Sequence, residues 1–148
     1  MTGPPFVPGQ FVWCRFPYSE APLSLGDKER VVYVADVRQH AGRQMFTVMS
    51  LYTTTVQWER GTPLPLGIIP VAIGAAAKMK QKPVVIDARR IAFVPANESF
   101  FPRLRAPDGA VIHEATKAFR AHIENVLARL ANRPDLVQLL GPDNPSRR

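Results

Sequence analysis

The stretch FVPGQFVWCRFPYSEAPLSLGDKERVVYVADV, residues 6–37, decides the fold of this chain. Its Pro8-Gly9 pair leads into residues 10–16, which are rich in aromatic and β-branched side chains and predict a first strand. A polar loop then ends in the basic cluster Lys28–Arg30, and the apolar run 31–37 predicts a second strand. A basic loop between two rigid strands holds its positive charge in a fixed place, which favours a binding role.

Further strands follow from the same residue preferences. Gln44–Tyr52 predicts a third strand, which is joined to the second by a hairpin turn at Gly42. Shorter strands are predicted at residues 68–73 and 84–87, in a region that prolines and glycines interrupt. Residues 90–94 predict either a further strand or a kinked continuation of residues 84–87.

The C-terminal part of the chain has helical periodicity. Apolar residues recur at three- and four-residue steps from Ala110 to Ala131, which predicts an amphipathic helix capped by Asp108 or Gly109. Pro134 is expected to begin a second short helix that runs to Leu140.

This order of elements predicts a mainly β protein with a C-terminal helix, an α+β fold. Five to six short antiparallel strands favour a small, strongly bent sheet or barrel against which the helix packs. We expect residues 1–9 to form an extended arm, residues 10–108 the β-barrel domain, and residues 109–148 the C-terminal helix and tail packed on that barrel.

The charge balance favours an anionic partner. The 148 residues carry a formal net charge of +7. Residues 78–105 hold seven cations and two acids, a local balance of +5: Lys78, Lys80, Lys82, Arg89, Arg90, Arg103 and Arg105 against Asp87 and Glu98. Such an excess suits nucleic acid, an acidic protein or an anionic surface, although an ordinary basic protein has the same composition.

Several classes of protein are disfavoured. Cys14 is the single cysteine, so no disulfide within the chain is possible, and no Cys/His group has zinc-site spacing. The longest apolar stretch, residues 64–77, is too short and too broken by prolines and glycines to span a bilayer. Residues 1–5 lack the features of a signal peptide. We therefore expect a cytoplasmic protein without a metal or other cofactor and without membrane association.

Four segments carry a resemblance to a known family. They are PGQFVWCRFPY at 8–18, GDKERVVYV at 26–34, FTVMSLYTTT at 46–55 and KPVVIDARRIAFVP at 82–95. Together with Phe100-Phe101 they resemble the PemK/MazF family of toxins, in particular a less studied branch of these mRNA interferase-like proteins. The resemblance covers residues 8–101 and implies a small SH3-like barrel of the CcdB/MazF type, often a homodimer.

The resemblance also implies an activity. Active members of the family cleave single-stranded RNA without a metal, by attack of a 2′-hydroxyl on the neighbouring phosphorus. The family's catalytic arginine corresponds to Arg30, and its strand-end hydroxyl corresponds to Thr53. A planar guanidinium suits phosphate oxygens, and a hydroxyl can donate to the same oxygens. The residues expected to bind RNA are Lys28, Arg15, Lys78, Lys80, Lys82 and Arg90, and an acidic antitoxin protein is an implied partner.

Some alternatives stay open. The family has proline after its arginine, whereas Val31 follows Arg30 here, and Glu29 is placed to form an ion pair with Arg30. Lys28 is then the alternative cation, and the threonines at 53–55 leave the hydroxyl uncertain by one position. These departures favour a second hypothesis, a non-catalytic nucleic-acid- or protein-binding module on the same barrel. Trp13 and Trp58 suit either base stacking or apolar packing.

Overall fold

The computed structural model describes residues 6–17, 21, 24–40, 42–53, 64–71, 84–105 and 111–142. The strands are β1 Gln10–Cys14, β2 Arg30–His40, β3 Arg43–Thr53, β4 Ile68–Val71, β5 Val84–Pro95, β6 Val111–Glu114 and β7 Gln138–Leu140. The helix α1 spans Lys117–Leu130, and a short 3-10 helix spans Pro134–Leu136. The prediction of a mainly β, α+β fold with a C-terminal helix is confirmed.

All described strands belong to one sheet in the order β4-β5-β3-β2-β1-β6, while β7 pairs with β5. Every pair along the main path is antiparallel, and only the β5–β7 pair is parallel. The described residues thus contain seven strands, more than the five to six predicted. Residues 84–87 and 90–94 belong to one strand, β5, so residues 90–94 continue residues 84–87, the second of the two predicted alternatives.

The hairpin between β2 and β3 turns at Gly42, as predicted. His40 pairs with Arg43 across the turn, and Gly42 has a φ of 80°, which glycine adopts without steric penalty. Both long strands of this hairpin change register along their length: β2 against β3 near Asp36, and β3 against β5 near Ser50. Such irregularities bend strands and increase the local twist of a sheet.

Alternation along the strands places apolar side chains on both sides of the sheet. The helix-side core includes Phe11, Tyr33, Leu51, Ile86 and Leu130. The far-side core includes Phe6, Val12, Phe46, Val94 and Phe101. Both faces of the central strands are covered, which explains why the sequences of these strands are nearly continuous apolar runs.

Three phenylalanines from separate parts of the chain pack against one another in the far-side core. The ring centroids of Phe6, Phe46 and Phe101 lie 5.1 to 5.7 Å apart in tilted or edge-on pairs. Such pairs add about 0.5–1.5 kcal/mol to the effect of burial alone. They hold the segment after β5, which includes Arg103, against the sheet.

The C-terminal helix starts later than predicted. It begins at Lys117 with Thr116 as N-cap, whose hydroxyl accepts a hydrogen bond from the Phe119 N–H at 3.1 Å. The predicted start at Ala110, with a cap at Asp108 or Gly109, is therefore wrong. Residues 111–114 instead pair with the free edge of β1, since backbone bonding to a neighbouring strand outweighs local helical periodicity.

The second predicted helix is only partly correct. Residues 134–136 form a single 3-10 turn beginning at Pro134, but Gln138–Leu140 form β7 beside β5. Gly141, with a φ of 91°, ends this strand. Its backbone lies so close to that of Phe93 that a Cβ at this position would come within 2.3 Å of the Phe93 carbonyl oxygen.

None of the described helices is long and apolar enough to cross a membrane.

Candidate functional site

Three chain segments meet where β1 ends. The Arg15 N–H donates to the Phe100 carbonyl at 2.7 Å, and the Gly26 N–H donates to the Arg15 carbonyl at 3.4 Å. Gly26 fits because it has no side chain: a Cβ there would lie 2.3 Å from the Phe16 carbonyl oxygen. The end of β1 thus brings together the loop before β2 and the segment after β5.

Arg30 is the first residue of β2 and pairs with Cys14 of β1. Its position in the strand alternates with Val31, so it belongs to the side of the sheet that carries Val32 and the far-side core. The residue is half-buried, whereas Lys28, two residues earlier, is exposed. Of these two candidate cations, Arg30 is the one held within the sheet.

Arg15 and Arg90 flank the same segment. Arg15 is half-buried, and its Nε is enclosed with no hydrogen-bond partner among the described residues. The Arg90 Cζ lies 5.7 Å from the centroid of the Phe16 ring. Arg15 lies within residues 14–16, Arg30 pairs with Cys14, and Arg90 lies against Phe16, and we call these three residues the arginine cluster. Three cations along one short segment raise the local positive potential, which favours an anion.

Glu29 is engaged by a different arginine. Its carboxylate accepts hydrogen bonds from Arg103, with the Nη2–Oε2 distance at 2.9 Å and the Nε–Oε2 distance at 3.2 Å. The Arg103 Cζ also lies over the Trp13 ring, 4.5 Å from its centroid. Trp13 itself is partly buried against the helix-side core. We call Trp13, Glu29 and Arg103 the stacking site.

Thr53 ends β3, and its backbone pairs with Val84 of β5. Because Val32 pairs with Ser50, the start of β2 and the end of β3 lie at the same end of the sheet. The description covers the Thr53 backbone and not its side chain, so the Arg30–Thr53 pairing stays a prediction. Lys78, Lys80 and Lys82 lie outside the described residues.

Two residues at this end of the sheet were not singled out by the sequence. Ser50 is fully buried, and the one hydrogen bond described for its hydroxyl is a long one of 3.4 Å to the Leu51 carbonyl. In the sequence, Arg103 is one cation of the basic region 78–105. Its carboxylate partner is 74 residues away along the chain, so no local spacing rule could have found the pair.

Other reactive groups play no part in this site. Burial raises the pKa of the Cys14 thiol well above its ordinary value, so this cysteine stays protonated and acts as a small apolar residue. The rings of His113 and His122 lie against Phe11 and Phe119, outside residues 14–16. Within the described ranges, no group of three or more His, Cys, Asp or Glu side chains could hold a metal ion.

Comparison with known proteins adds no family assignment: no protein-family model matches the chain, and neither does any curated protein sequence. The class of the protein is therefore given by its own geometry, a mainly antiparallel β-sheet with a C-terminal helix and with Arg15, Arg30 and Arg90 along residues 14–16.

Proposed function

We propose that this protein is a toxin-like endoribonuclease of the PemK/MazF type, a sequence-selective enzyme that cleaves single-stranded RNA on an SH3-like barrel. The observation that carries the proposal is the arginine cluster along residues 14–16. In particular, Arg30 is held at the start of β2, directly after the basic loop, and pairs with Cys14 of β1. A guanidinium held in place in this way suits phosphate oxygens.

The chemistry follows from the charges. The RNA 2′-hydroxyl gives its proton to solvent water, and its oxygen bonds to the adjacent phosphorus. The bond from phosphorus to the 5′-oxygen then breaks, and that oxygen takes up a proton from water. The products are a 2′,3′-cyclic phosphate and a free 5′-hydroxyl, and no metal takes part in this scheme. Negative charge peaks on the non-bridging oxygens of the phosphorane, which is the charge that a fixed guanidinium stabilises best.

Each candidate residue has its own role in this reaction. Arg30 stabilises the phosphorane, and the Thr53 hydroxyl donates to the same oxygens. Arg15 and Arg90 hold the flanking phosphate, while Lys28 and the lysines at 78, 80 and 82 guide the strand. Arginine stays charged in water and is therefore an electrostatic stabiliser rather than a base. The proposal also includes a homodimeric state, an acidic antitoxin protein as partner and a cytoplasmic location.

Cleavage of single-stranded RNA in EDTA tests this assignment. We expect Arg30→Ala to lower the rate about 100- to 1,000-fold, the effect of removing one transition-state donor. The matched control is Arg129→Ala, which removes an exposed arginine of α1 and is expected to leave the rate unchanged. Urea denaturation of both variants separates lost chemistry from lost folding. Intact RNA after prolonged incubation with concentrated wild-type protein contradicts the proposal.

A second candidate is a non-catalytic nucleic-acid-binding module on the same CcdB-like barrel. Its support is that the described imidazole rings contact Phe11 and Phe119, so neither offers a general base beside the arginine cluster. Binding of RNA without cleavage, with affinity that falls steeply as salt rises, is the expected result for this candidate. A salt-independent complex with a protein would instead indicate a protein-binding module.

A further inference from the structure

The stacking site holds a planar cation in one orientation. Arg103 donates hydrogen bonds to the Glu29 carboxylate from its Nε and its Nη2, and its Cζ lies 4.5 Å from the Trp13 ring centroid. A guanidinium fixed at its edge by a carboxylate and on one face by an indole has lost most of its rotational freedom. This long side chain is therefore ordered before any ligand binds, so ligand binding loses less side-chain entropy.

The Arg103 side chain is partly open to solvent. The Arg103 side chain is 43% exposed, and that of Glu29 is 26% exposed. Because the Glu29 charge offsets that of Arg103, the pair offers little net attraction to a phosphate. What remains is a flat, weakly hydrated surface, which suits the π-face of a planar aromatic ligand.

The stacking site and Arg30 lie at the same end of the β1–β2 ladder. Trp13 pairs with Val31 across β1 and β2, and the next pair in the same ladder is Cys14 with Arg30. Glu29 immediately precedes Arg30 in the chain. Trp13 faces the helix side and Arg30 the far side of this ladder. The step from Glu29 to Arg30 places both sites at the end of the ladder, where one nucleic acid strand can make a base contact and a phosphate contact.

We propose that Arg103, supported by Trp13 and Glu29, is a stacking subsite for one nucleobase of a single-stranded RNA. This inference rests on the proposed function, because it assigns to the same ligand a base contact beside the phosphate contacts of the arginine cluster. Glu29 thereby has a role other than neutralising Arg30: it holds the guanidinium on which the base lies.

The test compares two labelled oligonucleotides of about eight nucleotides, a length typical of one binding groove. One is 2′-O-methyl oligouridylate, which cannot be cleaved, and the other is an abasic strand with the same backbone charge. Fluorescence anisotropy gives the affinity of the full-length protein for each. The ratio of the two affinities isolates the contribution of the bases, because the phosphate contacts are common to both probes.

Three variants locate that contribution. Arg103→Lys keeps the charge and removes the planar surface, so we expect the preference for the base-bearing strand to fall at least about fivefold. Trp13→Phe keeps an apolar ring and is expected to cause a smaller loss. The matched control is Arg105→Lys, since Arg105 is also paired to a glutamate, Glu98, but is largely exposed. It should keep the wild-type preference.

The outcomes separate this inference from the proposed function. Equal affinity of the wild type for both strands, or an unchanged preference in Arg103→Lys, overturns the stacking subsite and leaves phosphate binding and cleavage intact. A base preference that depends on Arg103 in a protein that cuts no RNA supports the subsite and refutes the nuclease. Failure of both strands to bind at about 100 μM protein, the weak limit of non-specific binding, overturns both.

Discussion

Two strands of this protein carry the same short pattern with different surroundings. Asp36-Val37-Arg38 lies in β2 and Asp87-Ala88-Arg89 lies in β5, each beside a register irregularity of the sheet. In both, the arginine Nε binds the aspartate two residues earlier, at 2.5 Å in β2 and at 2.9 Å in β5. The difference between the two regions lies in burial.

In β5 the ion pair is more buried and makes further hydrogen bonds. The side chains of Arg89 and Asp87 are 35% and 13% exposed, against 73% and 41% for Arg38 and Asp36. Asp87 also accepts the backbone N–H of Arg89 at 3.0 Å and its Nη2 at 3.2 Å. These side-chain hydrogen bonds raise the pKa of Arg89, although its burial acts in the opposite direction. The motif therefore stabilises a bent strand in β5, whereas in β2 the same motif is an exposed ion pair.

The largest effect is expected where the β5 pair meets the backbone of Gly67. Gly67 has a φ of 100°, and a Cβ there would lie 2.7 Å from the Arg89 Cγ. Gly67→Ala thus strains the backbone and displaces Arg89 from Asp87, and we expect a loss of about 2–4 kcal/mol in the free energy of unfolding. Urea denaturation measures this loss.

Gly42→Ala is the control for that substitution. Gly42 also has a positive φ, 80°, but a Cβ there meets no atom within 4 Å. Gly42→Ala should therefore lower the free energy of unfolding only by the backbone penalty, about 1–2 kcal/mol. An equal loss in both variants would show that displacement of Arg89 contributes nothing to stability.

Removal of each carboxylate compares the two motifs directly. Asp87→Ala leaves a half-buried guanidinium and a backbone N–H without their acceptor, so we expect a loss of about 1–3 kcal/mol in unfolding free energy. Asp36→Ala breaks an exposed pair and should cost less than about 0.5 kcal/mol. Equal losses in urea denaturation would contradict the view that burial decides the strength of the motif.

The smallest effect belongs to a third local pair, Arg133 with Asp135, at 2.8 Å on the surface. Its hydrogen bonds lower the pKa of Asp135 below the ordinary value. The charged carboxylate is thus favoured in the folded state, and any stabilisation is present above about pH 4 and disappears as pH falls through the lowered pKa. In an NMR titration, Arg133→Gln should raise the Asp135 midpoint without changing global stability. An unmoved midpoint would contradict this.

Local sequence patterns predicted much of the β-sheet. The first three strands and the turn at Gly42 follow from residue preferences that act over a few positions. The same reasoning failed at Val111–Glu114, because helical spacing there continues into α1 while the decisive partner, β1, is a hundred residues earlier. It also failed at Gln138–Leu140, whose strand exists through its pairing with β5.

The candidate site was predictable in part for the same reason. The resemblance to the PemK/MazF family implied Arg30, which follows the basic loop, and this residue begins β2. The stacking site did not stand out, because Trp13, Glu29 and Arg103 come from three separate segments. Nor did the sequence indicate that the enclosed Nε of Arg15 would lack a described partner.

The sequence by itself determined an antiparallel β-rich chain with an amphipathic C-terminal helix and an excess of positive charge, because periodicity, turn chemistry and composition are local properties. Only the tertiary structure decided which arginines meet which acids. It paired Arg103 with Glu29 rather than with a neighbour, and it buried one Asp-x-Arg motif while leaving the other exposed. The physical reason is that the strength of an ion pair depends on burial and distance, and both are set by residues far apart in the chain.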